Sequence, residues 1–191
     1  ALFTLGVEGR AAHAGLEPEK GVSAVLEIAR QVERVHALAR PEAGTTVNVG
    51  TLSGGTAANV VPAEASAEID VRFSTEEEAR RVEAAVRALT PFDERARLRV
   101  GGGINRPPME RTPAVAELFQ RARSVAASLG IELGEASVGG ASDGNFAAAC
   151  GAPVLDGLGV DGDGAHAAHE HIHADAVARR GALLAALVAS L

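Results

Sequence analysis

Four histidines and a glutamate fall within eight residues of one another in the run Gly162-Asp-Gly-Ala-His-Ala-Ala-His-Glu-His-Ile-His173. Imidazole and carboxylate are good zinc ligands. The order His166-x-x-His169-Glu170 is neither HExxH nor HxxEH, so the helical zinc signatures do not apply. A glycine-rich approach suits a loop that brings one ligand close to a metal. The same residues also describe a solvated polar loop ahead of a helix. Ile172, between His171 and His173, reads as a strand-like edge and argues against one closed site built from all four histidines.

Other candidates are scattered. Gly139-Gly-Ala-Ser-Asp-Gly-Asn145 joins a strand-like stretch to a helix, and such loops offer backbone N–H groups to anions. No Gly-Lys-Ser/Thr follows, so it is not a P-loop. It reads either as a tight turn with Ser142 or Asp143 capping the helix, or as a binder of a substrate carboxylate. His13 sits between small residues at a strand end, in the manner of a surface or capping histidine, and Asn59 before Val60-Val-Pro62 reads as a turn residue. Arg72 alternates with Val71 and Phe73 and so belongs to the outer face of its strand. Cys150 is the sole cysteine, which excludes an internal disulfide. Its small-residue neighbours and the lack of a nearby base predict a buried structural thiol.

The elements that must position these residues follow from periodicity. Residues 2–12 read as a strand. From Gly21 to about Ala39, apolar residues recur at helical spacing on one face. Thr45–Gly50 is a β-branched, alternating strand, and Ser53–Thr56 a turn. Ala65, Ala67, Ile69, Val71 and Phe73 alternate strictly. Ser74 or Thr75 then caps a helix with Glu76, Glu77 and Glu78 in its first turn, where the helix dipole favours anions, and that helix runs to about Leu89. Arg95–Val100 is a fourth strand. The order β-α-β-β-α-β is the split, ferredoxin-like arrangement: an antiparallel sheet with both helices on one face. Gly101-Gly-Gly103 and Pro107-Pro108 mark a boundary, giving residues 1–104 and 105–191 as two parts. In the second, Thr112-Pro113 opens a helix that ends near Gly130. Strand-like stretches at about 131–138 and at Pro153–Leu158 alternate with a short Ala-rich helix and a terminal helix from about Asp175. This part reads as a piece of a larger α/β sheet.

The 191 residues suffice for one ordinary domain or two small ones. A net charge of −7 favours neither nucleic acid nor an anionic membrane as partner. Of the basic residues only Lys20 is lysine. No apolar run reaches membrane-spanning length and no signal peptide is visible, so a cytoplasmic location is expected. The chain opens inside a strand-like run, Leu2–Val7.

Taken in order, Gly9-Arg-Ala-Ala-His-Ala-Gly15, Gly21-Val-Ser-Ala24, Asn48-Val-Gly50, Gly54-Gly-Thr56, Asn59-Val-Val-Pro62 and Asp70-Val-Arg-Phe73 resemble the lid domain of one superfamily. It comprises the zinc hydrolases aminoacylase, succinyl-diaminopimelate desuccinylase, acetylornithine deacetylase and glutamate carboxypeptidase. Gly139–Gly144 and Gly157-Leu-Gly159 through His166 to Glu170 resemble its closing catalytic segment. The resemblance implies a homodimer formed through the lid and two zinc ions in the intact enzyme, with other divalent metals able to substitute. It implies hydrolysis of a peptide with a C-terminal amino acid such as glutamate, or of an N-acyl amino acid. His166 matches the last zinc ligand. His13 matches a lid histidine that reaches into the partner's site and stabilises the oxyanion. Asn59, Arg72 and Gly140, Ala141 and Ser142 match positions that hold the substrate carboxylate, as does Arg106 less closely. His169, His171 and His173 match no family role. The family's other metal ligands and its general-base glutamate belong to an N-terminal half that has no counterpart here. The chain alone is therefore expected to lack activity and to expose apolar surface. The contrasting expectation is a non-catalytic dimerisation module with a weak metal site in the histidine loop.

Overall fold

A computed structural model describes all 191 residues, which divide into two compact units, Ala1–Pro108 and Met109–Leu191. The first is built on strand β1 (Leu2–Glu8), whose alternating side chains bury Phe3, Leu5 and Val7 on one face. β1 pairs antiparallel with β5 (Glu64–Arg72) on one side and β6 (Arg97–Gly103) on the other. β5 in turn pairs with β3 (Thr46–Gly54), giving the order β3-β5-β1-β6. The alternation in β5 buries Ala65, Ala67, Ile69 and Val71 on the face that carries Phe3 and Leu5. Helices α1 (Ala24–His36) and α2 (Glu76–Arg87) both cover that face. Ile28, Val35, Val82 and Val86 join the strand residues in one core. The architecture is the split β-α-β-β-α-β arrangement.

The helices start where polar side chains can take their orphan amides. Ser23 accepts from the Leu26 N–H, and Thr75, rather than Ser74, accepts from the Glu78 N–H. Two buried carboxylates tie helices to loops. Glu27 of α1 accepts from the backbone N–H groups of Phe92 and Asp93 and from Gln31 Nε2. Glu78 of α2 accepts from Thr45 Oγ1 at 2.6 Å and from Nη2 and Nε of Arg81 at 2.6 and 2.7 Å.

Several strand boundaries differ from the sequence expectation, among them that of β6, which runs from Arg97 to Gly103 rather than from Arg95 to Val100. The first strand stops at Glu8 instead of continuing to residue 12. At Gly9 the chain passes so close to the Val22 carbonyl that a Cβ would lie 2.1 Å from its oxygen. The chain resumes as a two-residue strand β2 (Ala12–His13), paired with β4 (Val60–Val61) in a separate ribbon. β3 runs on to Gly54 through an irregularity at Gly50, so Ser53 and Gly54 are still paired and the turn begins at Gly55, with φ +79°.

The second unit holds α3 (Pro113–Ser128), α4 (Gly144–Ala149), α5 (Ala176–Ser190) and a short hairpin of β7 (Gly162–Asp163) and β8 (His171–Ile172). Thr112 caps α3, and Gly130 at φ +67° ends it. Ala126, Ile131 and Leu183 form a small core. The strand-like stretches 131–138 and 153–158 form no strands, which corrects the expectation from their patterning. A β-conformation is held by its ladder, and no neighbouring strand within this chain pairs with either. Cys150 is likewise exposed rather than buried, because only the six-residue α4 precedes it and nothing packs over it. α5 presents Val177, Leu184 and Val188 to solvent, a spacing that forms one apolar stripe, and Leu191 just beyond it is exposed as well. No helix is long and apolar enough to cross a membrane.

The Glu78 carboxyl is lowered from its ordinary value of 4.5 to about 2, because first Arg81 and then Thr45 hydrogen-bond its charged form. A lowered folded-state value means that the stabilisation is complete above the unfolded value and is lost on acidification. Denaturation midpoints should therefore fall as pH drops from about 4.5 towards about 2, and Glu78→Gln should remove that part of the slope. An unchanged slope in the variant would contradict this account.

Candidate functional site

His13 and Asn59 are brought together by the β2/β4 ribbon. His13 pairs with Val60, and the next amide, Ala14 N–H, donates to the Asn59 carbonyl at 2.9 Å. The ribbon rests on Gly21, where a Cβ would lie 2.8 Å from Val61 Cγ1, so the absence of a side chain lets the strand approach. The His13 carbonyl accepts from Leu16 and Glu17 N–H, closing a tight turn, and Nδ1 of the ring accepts from Gly15 N–H at 3.1 Å. Both His13 and Asn59 are exposed.

Arg72 lies elsewhere. It is the last residue of β5, on the outer face, and its Nε donates to Asp70 Oδ2 at 2.8 Å. The first residue of β5, Glu64, pairs with Glu8 and adjoins the ribbon. Asp70, next to Arg72, pairs with Leu2, which also pairs with Gly103 at the end of β6. Eight residue steps of extended chain separate Glu64 from Arg72, on the order of 26 Å. The ribbon and Arg72 thus sit at opposite ends of one sheet. Arg106, half-buried, follows three residues after Gly103 and belongs to the Arg72 end.

In the second unit, Ser142 N–H donates to Asn145 Oδ1 at 2.9 Å and Ser142 Oγ accepts from Gly144 N–H at 3.1 Å. These bonds hold the turn ahead of α4, and Gly140 and Ala141 are exposed. Asp143 occupies the helix-cap position without a side-chain capping bond.

The β7/β8 hairpin encloses the histidine loop. His166 is the one non-glycine residue with positive φ, at 67°, and its N–H donates to Glu170 Oε2 at 3.3 Å. Gly164, at φ +75°, lies beneath the His169 ring, where a Cβ would fall 2.7 Å from Cδ2. His171 and His173 meet edge to face at 5.5 Å, and all four rings are exposed. No three His, Cys, Asp or Glu side chains are grouped so as to hold a metal ion. The residues present do not by themselves fit zinc, which needs at least three protein ligands in a catalytic site.

Several partners of these candidates have no clear mark in the sequence. Asp70 is two residues from Arg72 on the same strand face, a signal that alternation carries. Gly15 and Glu170 lie in runs that the sequence singles out, but the one backbone N–H hydrogen bond that involves each has no pattern of its own.

Residues 1–91 match the family model M20_dimer, described as a peptidase dimerisation domain. Carboxypeptidase G2 of Pseudomonas sp. (strain RS-16) is 29% identical, over 100% of this chain and 47% of its own length. One component of the p-aminobenzoyl-glutamate hydrolase of Escherichia coli (strain K12) is 41% identical over 39% of this chain and 17% of its own. Among solved structures, aminopeptidase PepT of Bacillus cereus ATCC 10987 superposes with a TM-score of 0.72 and 25% identity, covering 98% of this chain and 50% of that one.

A non-glycine residue held in the left-handed region costs about 1 kcal/mol. His166→Gly should therefore raise the thermal stability of the chain slightly and His166→Ala should not. Equal melting temperatures for the two variants would show that the loop does not strain this residue.

The chain spans about half the length of the curated relatives it matches over its full extent, and its first 91 residues are similar to a peptidase dimerisation domain.

Proposed function

We propose that this chain is the lid and closing catalytic segment of a homodimeric, zinc-dependent peptidase or amidohydrolase whose substrate carries a carboxylate. The observation that carries the reading is the separation of the candidates along the lid sheet. His13 and Asn59 occupy one end, Arg72 and Arg106 the other, on the order of 26 Å apart. No small peptide or N-acyl amino acid reaches both ends of one lid. A homodimer resolves this if one copy supplies His13 and Asn59 to a site where the other supplies Arg72 and Arg106. The dimerisation-domain match supports that arrangement, since a two-fold interface places each contribution twice.

In this reading the His13 ring donates a hydrogen bond to the oxygen that becomes negative as the scissile carbonyl turns tetrahedral. Asn59, the two arginines and the loop at Gly140, Ala141 and Ser142 hold the substrate carboxylate, with guanidinium bonds to the anion giving the strongest grip. The relatives named for carboxypeptidase and aminobenzoyl-glutamate hydrolase activity favour a glutamate-like carboxylate. His166 is assigned as one metal ligand, the others lying outside this chain. The chain by itself is then inactive.

The test uses the full-length protein with a substrate ending in glutamate. His13→Ala should lower kcat by about 10²–10³-fold, the usual loss for one oxyanion donor. Arg72→Ala should raise KM about thirty-fold, corresponding to about 2 kcal/mol for a bond to a charged group. The same arginine variant should leave an amide lacking the carboxylate unaffected. Equal turnover of charged and uncharged amides by the unaltered protein would overturn the substrate assignment.

A further inference from the structure

We infer that Gly15 is a positioning residue for His13: its backbone N–H occupies the Nδ1 lone pair, so the neutral ring carries its proton on Nε2 and faces outward as a hydrogen-bond donor. The catalytic meaning of this state rests on the reading above. The state itself rests on geometry alone.

The argument turns on what each group is able to do. A backbone amide donates and never accepts, so at 3.1 Å the Nδ1 of His13 must be the acceptor. Neutral imidazole has one N–H and one bare nitrogen. With Nδ1 bare, the hydrogen resides on Nε2. Of the two ring nitrogens only Nδ1 is hydrogen-bonded within the chain, and His13 is exposed.

The amide is held in place independently of the ring. Ala14 N–H is bound to the Asn59 carbonyl at 2.9 Å, and Leu16 and Glu17 N–H both reach the His13 carbonyl, at 3.3 and 3.2 Å. Residues 13–17 are therefore a closed turn that presents Gly15 N–H to the ring. It is the N–H of Gly15 that matters, since its backbone lies outside the left-handed region. A Cβ there would meet His13 Cε1 at 3.6 Å and Nδ1 at 3.8 Å, which is ordinary contact.

The consequence is chemical. A ring with Nδ1 engaged and Nε2 protonated has no lone pair to offer, so neutral His13 serves as a donor to a negative oxygen and not as a proton acceptor. The ring is also fixed in direction before any ligand arrives, which removes an ordering cost from the later step.

The experiment is nitrogen NMR on the ¹⁵N-labelled chain at a pH where the ring is neutral. The expected result is a bare-type Nδ1, a protonated-type Nε2 and a through-hydrogen-bond coupling between Gly15 N and His13 Nδ1. Gly15→Ala keeps the amide and should leave all three unchanged. Gly15→Pro deletes the N–H and should abolish the coupling and let the Nδ1–H tautomer gain population. A protonated Nδ1 in the unaltered chain, or a tautomer ratio indifferent to Gly15→Pro, would overturn the inference. Because the coupling is read in the unaltered chain, the result stands even if the proline variant loses the turn. In the full-length protein, Gly15→Pro should lower kcat with KM little changed, while Gly15→Ala keeps kcat. If His13→Ala proves fully active while the NMR result holds, the functional reading fails and the assigned ring state does not.

Discussion

Strand β1 is hydrogen-bonded along both edges, to β5 and to β6, while its inward side chains Phe3, Leu5 and Val7 are sealed beneath α1 and α2. A slip of one residue in either ladder would turn that entire set to solvent. The register is therefore strongly held, and the sheet acts as a rigid spacer of set length. Everything proposed about the site follows from what hangs at its two ends. The ribbon with His13 and Asn59 is attached where β1 and β5 pair Glu8 with Glu64. Arg72 and Arg106 are attached where Leu2 meets Asp70 and Gly103.

The charged groups divide between scaffold and surface. Glu27 and Glu78 are buried and their carboxylates are occupied by backbone amides, a hydroxyl and a guanidinium. Groups so satisfied hold loops in place and have no spare capacity for a substrate. The candidates His13, Asn59, Gly140, Ala141 and His166 are exposed, and Arg72 and Arg106 lie towards the outer surface. In the proposed reading such a site is completed by residues outside the chain. The apolar stripe of α5 and the unpaired stretches at 131–138 and 153–158 have the same character.

Much of the lid was legible because its information is local. Alternation in β5, helical spacing in α1 and the acidic first turn of α2 each report a face or an end that the core then uses. Where the sequence misled, the deciding partner was remote or missing. Residues 153–158 have a strand's composition, but a strand needs a neighbour to pair with. Cys150 has a buried residue's neighbours, but burial needs a covering element. Asn59 and Arg72 are thirteen residues apart in sequence and suggest one cluster. The structure carries them apart because β5 runs straight through the interval between them. The family resemblance assigned both to the substrate without telling which copy supplies each.

That division between copies is the central claim, and mixing the two kinds of protomer tests it most directly. His13→Ala and Arg72→Ala full-length proteins, each nearly inactive when assayed at substrate well below KM, are denatured together and refolded as an equal mixture. If the two residues belong to different copies at each site, half of the dimers are mixed and each mixed dimer has one intact site. Activity should then return to about a quarter of the unaltered level, the value set by random two-fold assortment. If both residues serve the same site from one copy, every site in the mixture lacks one of them, and no recovery will be seen.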